Sequence, residues 1–238
     1  MFDTLDADII CFQELKLQKK DLKDEMVLVP GFHSFFTFPK HRKGYSGVGI
    51  YTRNSKCNPV KAEEGITGHL DSPSGSPYIE LPVEERIGGY PSITREDALV
   101  LDSEGRCLLL DFGGFVLIGT YCPAATDSER DDFRAAFVKA VFDRARNLIN
   151  AGREVVIVGD LNIARAEIDS CEAEEWKRSH GVDEWISTDT RRQLDALLAP
   201  GDGKLMVDLC REFWPDRTGM FTCGFPSAWD VNTTDAST

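Results

Sequence analysis

Cys107-Leu108-Leu109-Leu110-Asp111-Phe112-Gly113-Gly114-Phe115-Val116-Leu117-Ile118-Gly119-Thr120-Tyr121 holds two apolar runs joined by a pair of glycines. Runs this short, rich in Leu, Val, Ile and Phe, read as buried strands over Cys107–Phe112 and Phe115–Tyr121. Gly113-Gly114 suits a two-residue hairpin, so the strands are predicted to be antiparallel. That argues against a purely parallel, doubly wound sheet.

Working outward, Asp8–Phe12, Val48–Thr52 and Val155–Val158 are three more apolar runs of strand length. Phe133, Phe137, Ala140, Val141, Leu148 and Ile149 recur at helical spacing. Thr126 with Glu129 fits a capping box before that helix, and Gly152 stands where it should stop. A second helix is expected over Arg191–Leu198, ended by Pro200. The Gly-, Pro-, Ser- and Glu-rich stretch Asn54–Arg95 reads as a long excursion with weak local structure. Buried strands, one hairpin and few helices predict a two-sheet α/β sandwich with helices outside.

The 238 residues suit one large domain or two small ones. With 42% hydrophobic and 28% charged residues the chain reads as globular, not disordered. No apolar run nears the roughly 20 residues of a membrane helix, so no membrane partner is expected. Met1–Asp8 has three acids and no base, unlike a secretory signal or transit peptide. The seven scattered cysteines form no C-x-x-C pair and read as reduced, mostly buried thiols of an intracellular protein. A net charge of −13 argues against a general nucleic-acid coat protein. It leaves room for a DNA enzyme with a local basic strip and clustered carboxylates.

Four segments can carry chemistry. Ile9-Ile10-Cys11-Phe12-Gln13-Glu14-Leu15-Lys16 is a strand ending in an acid. Glu14 there can hold a hard cation at a sheet rim, or simply begin a solvated loop with Lys16. Val155-Val156-Ile157-Val158-Gly159-Asp160-Leu161-Asn162 runs an apolar strand into Asp and Asn two residues apart. Extended backbone would put both on one face, Asp160 to orient or deprotonate a water and Asn162 to hold a phosphate oxygen. The same letters also fit a strand-ending Asx turn. Tyr121 can donate a hydrogen bond to a phosphoryl oxygen, or be an ordinary half-buried aromatic. His41-Arg42-Lys43-Gly44-Tyr45 mixes cations with an aromatic, as a nucleic-acid backbone requires, or is a solvated loop.

The ordered set Q-E-x-K, G-Y-S-G-V, T-x-Y-x-P, G-D-L-N and F-T-C resembles the exonuclease III–type abasic-site endonucleases of the endonuclease/exonuclease/phosphatase superfamily. Ile168-Asp169 and Met220-Phe221-Thr222-Cys223 are similar to their second eukaryotic class. The resemblance implies a four-layered, DNase I-like α/β sandwich over residues 1–223, with 224–238 an unmatched, disordered tail. It implies Mg²⁺ or Mn²⁺ as cofactor, with Glu14, Asp160 and Asn162 as metal or water ligands and Lys16 in support. Tyr121 would contact the scissile phosphate, and Arg42, Lys43 and Tyr45 the DNA. The implied substrate is double-stranded DNA with abasic sites or damaged 3′ ends, cut in base excision repair in the nucleus. A sliding clamp is implied as a partner, although the chain carries no clamp motif.

The chain also departs from that pattern. It has no counterpart of the family's first strand, with its Asn and Asp, or of the last, with its Asp–His pair. His33, His41, His69 and His180 do not match that His, Ala124 stands for an Asn, and Gly224 for a Trp. Missing terminal strands are expected to leave an open sheet edge, and the residues present to cleave weakly or not at all. The alternatives are a non-catalytic fragment and a phosphodiesterase of another branch, such as a phosphoinositide phosphatase, sphingomyelinase or poly(A) nuclease.

Overall fold

A computed structural model describes residues 2–124, 130–181, 188–198 and 205–220. The chain forms two compact units, Met1–Asn162 and Ile163–Thr238.

The first unit contains two sheets. Strands β1 (Ile9–Phe12), β2 (Phe32–Thr37) and β3 (Val48–Arg53) form an antiparallel sheet in the order β1-β3-β2. Strands β4 (Lys61–Glu64), β5 (Cys107–Asp111), β6 (Val116–Tyr121) and β7 (Val155–Asp160) form the second in that order. β5 and β6 are the antiparallel hairpin that the glycine pair predicts. Gly113 takes a positive φ of 79°, which a side chain would resist, and Phe112 N–H closes the turn on Phe115 O at 3.0 Å.

The sheets pack face to face. Val48 and Ile50 of β3, Leu108 and Leu110 of β5, and Leu117 and Tyr121 of β6 share one buried cluster. Gly119 permits the approach, since a Cβ there would lie 2.6 Å from Ile50 Cδ1. Outside the first sheet, Phe2 of α1 (Phe2–Leu5) packs its ring against Phe12, Phe32 and Tyr51. Tyr51 Oη donates to Met26 O of α2 (Asp24–Val27) at 2.6 Å. Outside the second sheet, α4 (Asp131–Asn150) packs on β7 and against α3 (Arg95–Asp102). Helix, sheet, sheet and helix give the four layers of an α/β sandwich.

β7 lies beside β6 in parallel register, and α4 supplies the crossover between them. Parallel pairing brings the carboxyl ends of β6 and β7 to one rim. α4 ends at Asn150, and Gly152 takes a φ of 81° just beyond it. The Thr126–Glu129 capping box lies outside the described residues, as do Pro200, Cys223 and 224–238. β1 and β7 are end strands of their sheets, and Val156 and Val158 of β7 are exposed.

The excursion Asn54–Arg95 is more ordered than its composition suggests. β4 lies within it, and Glu63 of β4 is buried against the fully buried Arg144 of α4, 2.7 Å away. Arg144 also donates to Gly88 O at 2.7 Å and to Ile66 O at 2.9 Å. Asp102 of α3 accepts from Ile66 N–H at 2.7 Å and Thr67 N–H at 3.2 Å. Charged groups of α3 and α4 therefore satisfy this segment's backbone, so its order does not come from its own apolar periodicity.

The second unit holds helices Ala173–His180, Asp189–Leu198 and Leu209–Phe213. Within it Arg165 pairs with Asp195 at 2.8 Å and Arg191 Nε donates to Ala164 O at 2.7 Å. The predicted helix at Arg191–Leu198 starts two residues earlier, at Asp189. Among the described residues no helix is long and apolar enough to cross a membrane.

Candidate active site

The site grows from three strand ends in the first unit. Tyr121 closes β6 and pairs in register with Asp160, which closes β7. Gly159 makes this end possible, because its φ is 135° and a Cβ would lie 1.9 Å from Thr120 O. The apolar run followed by Gly thus records a close approach of two backbones. Beyond β1 the chain turns back, and Tyr121 Oη donates to Glu14 Oε1. Residues 107 positions apart are thereby joined by one hydrogen bond.

Glu14 has a second partner, Lys16 Nζ, 3.0 Å from Oε2. The hydrogen bond from Tyr121, and then the one from Lys16, hold the Glu14 carboxyl below its ordinary range. Tyr121 moves the other way: burial first, then the Glu14 anion, push its phenol up to about 12. Tyr121 is therefore a protonated donor at neutral pH, and Glu14 an ionised acceptor.

Asp160 and Asn162 do not lie in one extended strand. Asn162 has a φ of 51°, and Asp160 Oδ1 accepts the Asn162 N–H at 2.9 Å. This is the Asx turn, so the argument that extended backbone puts both side chains on one face does not apply. Asn162 Nδ2 instead donates to Cys122 O at 2.8 Å, tying the β7 loop to the β6 loop. Arg134 of α4 clasps both loops, donating to Pro123 O at 3.1 Å and to Asn162 O at 2.7 Å. Sequence reading missed Arg134, because a lone cation on an amphipathic helix gives no signal.

The G-Y-S-G loop borders the same rim. Leu15 N–H donates to Gly47 O at 3.2 Å and Lys16 N–H to Ser46 O at 2.8 Å, so two motifs are zipped together by backbone. The Arg42 guanidinium lies 4.2 Å from the Tyr45 ring centroid, while the His41, Arg42 and Lys43 side chains are exposed. Four of the five non-glycine residues with positive φ among the described residues flank this rim: Glu14, Lys16, Ser46 and Asn162. Strained backbone of this kind concentrates at functional sites.

A hard divalent cation takes at least six oxygens. Both oxygens of Glu14 are engaged here, one by a phenol and one by an ammonium. Asp160 Oδ1 is engaged by a backbone N–H, and among the described residues no group of three or more His, Cys, Asp or Glu is gathered as a ligand set. The buried Gln13 Nε2 has no partner, and an N–H donor suits an anionic oxygen or a water, not a cation. As arranged, these residues do not make a complete Mg²⁺ or Mn²⁺ site.

Residues 1–234 match the sequence profile described as Endonuclease/Exonuclease/phosphatase family. The DNA-(apurinic or apyrimidinic site) endonuclease 2 of Schizosaccharomyces pombe is 45% identical over 226 residues, covering 94% of this chain and 43% of that protein. The Homo sapiens protein of the same name is 32% identical over 240 residues, covering 94% of this chain and 44% of its own length. The chain thus spans less than half the length of these relatives. The crystal structure of the Xenopus laevis APE2 catalytic domain superposes with a TM-score of 0.76 at 29% identity, covering 95% of this chain and 70% of that one. An AP endonuclease from Archaeoglobus fulgidus, 21% identical, shares the fold with a TM-score of 0.58 over 91% of this chain and 67% of its own.

Proposed function

Because the chain belongs to the endonuclease/exonuclease/phosphatase family, we propose that it carries the phosphodiester-cleaving site of a DNA nuclease acting at abasic sites. The observation that carries this reading is the meeting of Glu14, Tyr121 and Asp160 at one rim, next to an exposed basic loop. The relatives named for abasic-site endonuclease activity point to the same substrate. Double-stranded DNA with abasic sites or damaged 3′ ends is the proposed substrate, and base excision repair in the nucleus the setting. A sliding clamp belongs to the same proposal as a partner.

In this reading Tyr121, held protonated, turns its single O–H from Glu14 to a non-bridging oxygen of the scissile phosphate as charge builds there. Asp160 orients a water for in-line attack and takes its proton, while the bond from phosphorus to the 3′-oxygen on the 5′ side of the lesion breaks and that oxygen leaves as the 3′-hydroxyl with a proton from solvent. Asn162, through its bond to Cys122 O, keeps the Asp160 loop beside Tyr121. Lys16 offsets the anionic charge of Glu14 and the phosphate. Arg42, Lys43 and Tyr45 would meet the neighbouring DNA backbone. Mg²⁺ or Mn²⁺ is the proposed cofactor, but the donors present do not complete its shell, so weak turnover is expected.

The test is a cleavage panel with the protein in excess over substrate: abasic duplex DNA, intact duplex, oligo(A) RNA, a phosphoinositide and sphingomyelin, each with Mg²⁺, Mn²⁺ or chelator. Slow nicking 5′ to the abasic site, lost on adding chelator and in Asp160→Ala, is expected. Cleavage of a lipid or RNA phosphodiester while the abasic duplex stays intact would overturn the reading.

A further inference from the structure

Arg106 enters the fold just before β5, outside every motif, and reaches the same rim. Its side chain is 2% exposed. Nη1 donates to the Tyr121 carbonyl at 3.0 Å, Nη2 to Tyr45 Oη at 2.7 Å, and Nε to Glu104 Oε2 at 2.6 Å. The guanidinium carbon lies 4.7 Å from the Tyr121 ring centroid and 5.1 Å from that of Tyr45. Its backbone carbonyl accepts the Tyr121 N–H at 2.8 Å and the Thr120 hydroxyl at 3.3 Å. The turn before it is fixed, since Gly105 has a φ of 61° and a Cβ there would lie 2.2 Å from Phe38 C.

A buried guanidinium between two phenols is expensive to desolvate unless its donors and faces are used. Here Glu104 neutralises it, two other acceptors take its fork, and each tyrosine ring lies within cation–π range. Glu104 in turn accepts from Arg130 Nη2 at 2.8 Å and from Tyr45 Oη at 3.3 Å. The outer tyrosine of the basic loop and the inner tyrosine of the strand rim are therefore joined through one rigid planar cation.

Resting on the nuclease reading, we infer that Arg106 is a positioning residue that mechanically couples Tyr45 to Tyr121, so that DNA backbone engaging the Tyr45 loop sets the phenol facing the scissile phosphate. A merely structural arginine would stabilise the fold without transmitting a change at one tyrosine to the other. Lysine keeps the charge but loses the planar fork, so it should not sustain the coupling.

The test uses the full chain labelled with ¹³C-tyrosine and follows the Tyr121 ring cross-peak by NMR. Tyr45→Phe removes only the hydroxyl that Arg106 Nη2 meets. It should move the Tyr121 peak by more than a linewidth in the native background and not in Arg106→Lys. An unmoved Tyr121 peak in Tyr45→Phe alone overturns the inference, and that arm needs no Arg106 variant to fold. An equal displacement in the Arg106→Lys background overturns it as well. Titration with an abasic-analogue duplex then adds the substrate: the Tyr121 peak should follow binding in the native chain and cease to follow it in Arg106→Lys. If the duplex does not bind the native chain, the DNA reading fails, while the Tyr45→Phe result still decides the coupling.

Discussion

At the scale of single residues, the Glu14–Tyr121 pair has a definite pH signature. The Tyr121 phenol is raised to about 12, so its contribution to stability is complete below the ordinary tyrosine value of about 10 and is lost as pH climbs from there through about 12. Glu14 is lowered, so its contribution is present above the ordinary carboxylate range and lost as pH falls through its depressed value. Glu14→Gln removes the anion but leaves Tyr121 buried. Residue-resolved NMR titration of the Tyr121 ring should therefore give a pKa lower than native yet still above about 10. A Tyr121 pKa unchanged by Glu14→Gln would mean that the two side chains do not meet in solution.

At the scale of elements, what could be read in the sequence divides along a physical line. Strands whose side chains enter the apolar core announce themselves, and β1, β3, β5, β6 and β7 lie within two residues of the runs that predict them. β4 has the sequence Lys61-Ala62-Glu63-Glu64, and its pairing with β5 is supported by the buried Glu63–Arg144 ion pair across 81 positions, which no local pattern encodes. β2 is not among the predicted strands: Phe35-Phe36-Thr37 carries a strand signal, but His33 and Ser34 interrupt the apolar run. α3 is likewise not predicted, although Thr94 is a cap signal: its side chain accepts the Asp97 N–H at 3.2 Å. At the rim, Glu14, Tyr121 and Asp160 were legible as polar residues at strand ends, whereas Arg106 and Arg134 act through tertiary contacts alone. Gly159 tests the β7 end. Ala there must relieve a 1.9 Å approach to Thr120 O and should cost about 2–4 kcal/mol, lowering Tm by roughly 5–10 °C. Gly113→Ala, also at positive φ but with nothing within 4 Å, should cost about 1 kcal/mol. Equal losses in calorimetry would show that the β6–β7 approach is looser than described.

At the scale of the whole molecule, a chain of net charge −13 must meet a polyanion through local cations. Arg42 and Lys43 are exposed beside Tyr45, and Arg106 links Tyr45 to the Tyr121 rim. The proposed DNA-binding face therefore joins the exposed basic loop to the strand ends through the buried Arg106. The most direct measurement is the affinity of the full chain for a duplex with one abasic-site analogue, and for its undamaged twin, across a series of salt concentrations. The native chain should bind the abasic duplex more tightly than the twin. Reversing Arg42 and Lys43 together to Glu should weaken both complexes and flatten the dependence of log Kd on log salt by about 2, near 0.9 per lost phosphate contact. Equal affinity for the two duplexes would rule out abasic-site recognition, and a salt slope untouched by the reversals would place the basic loop away from the DNA.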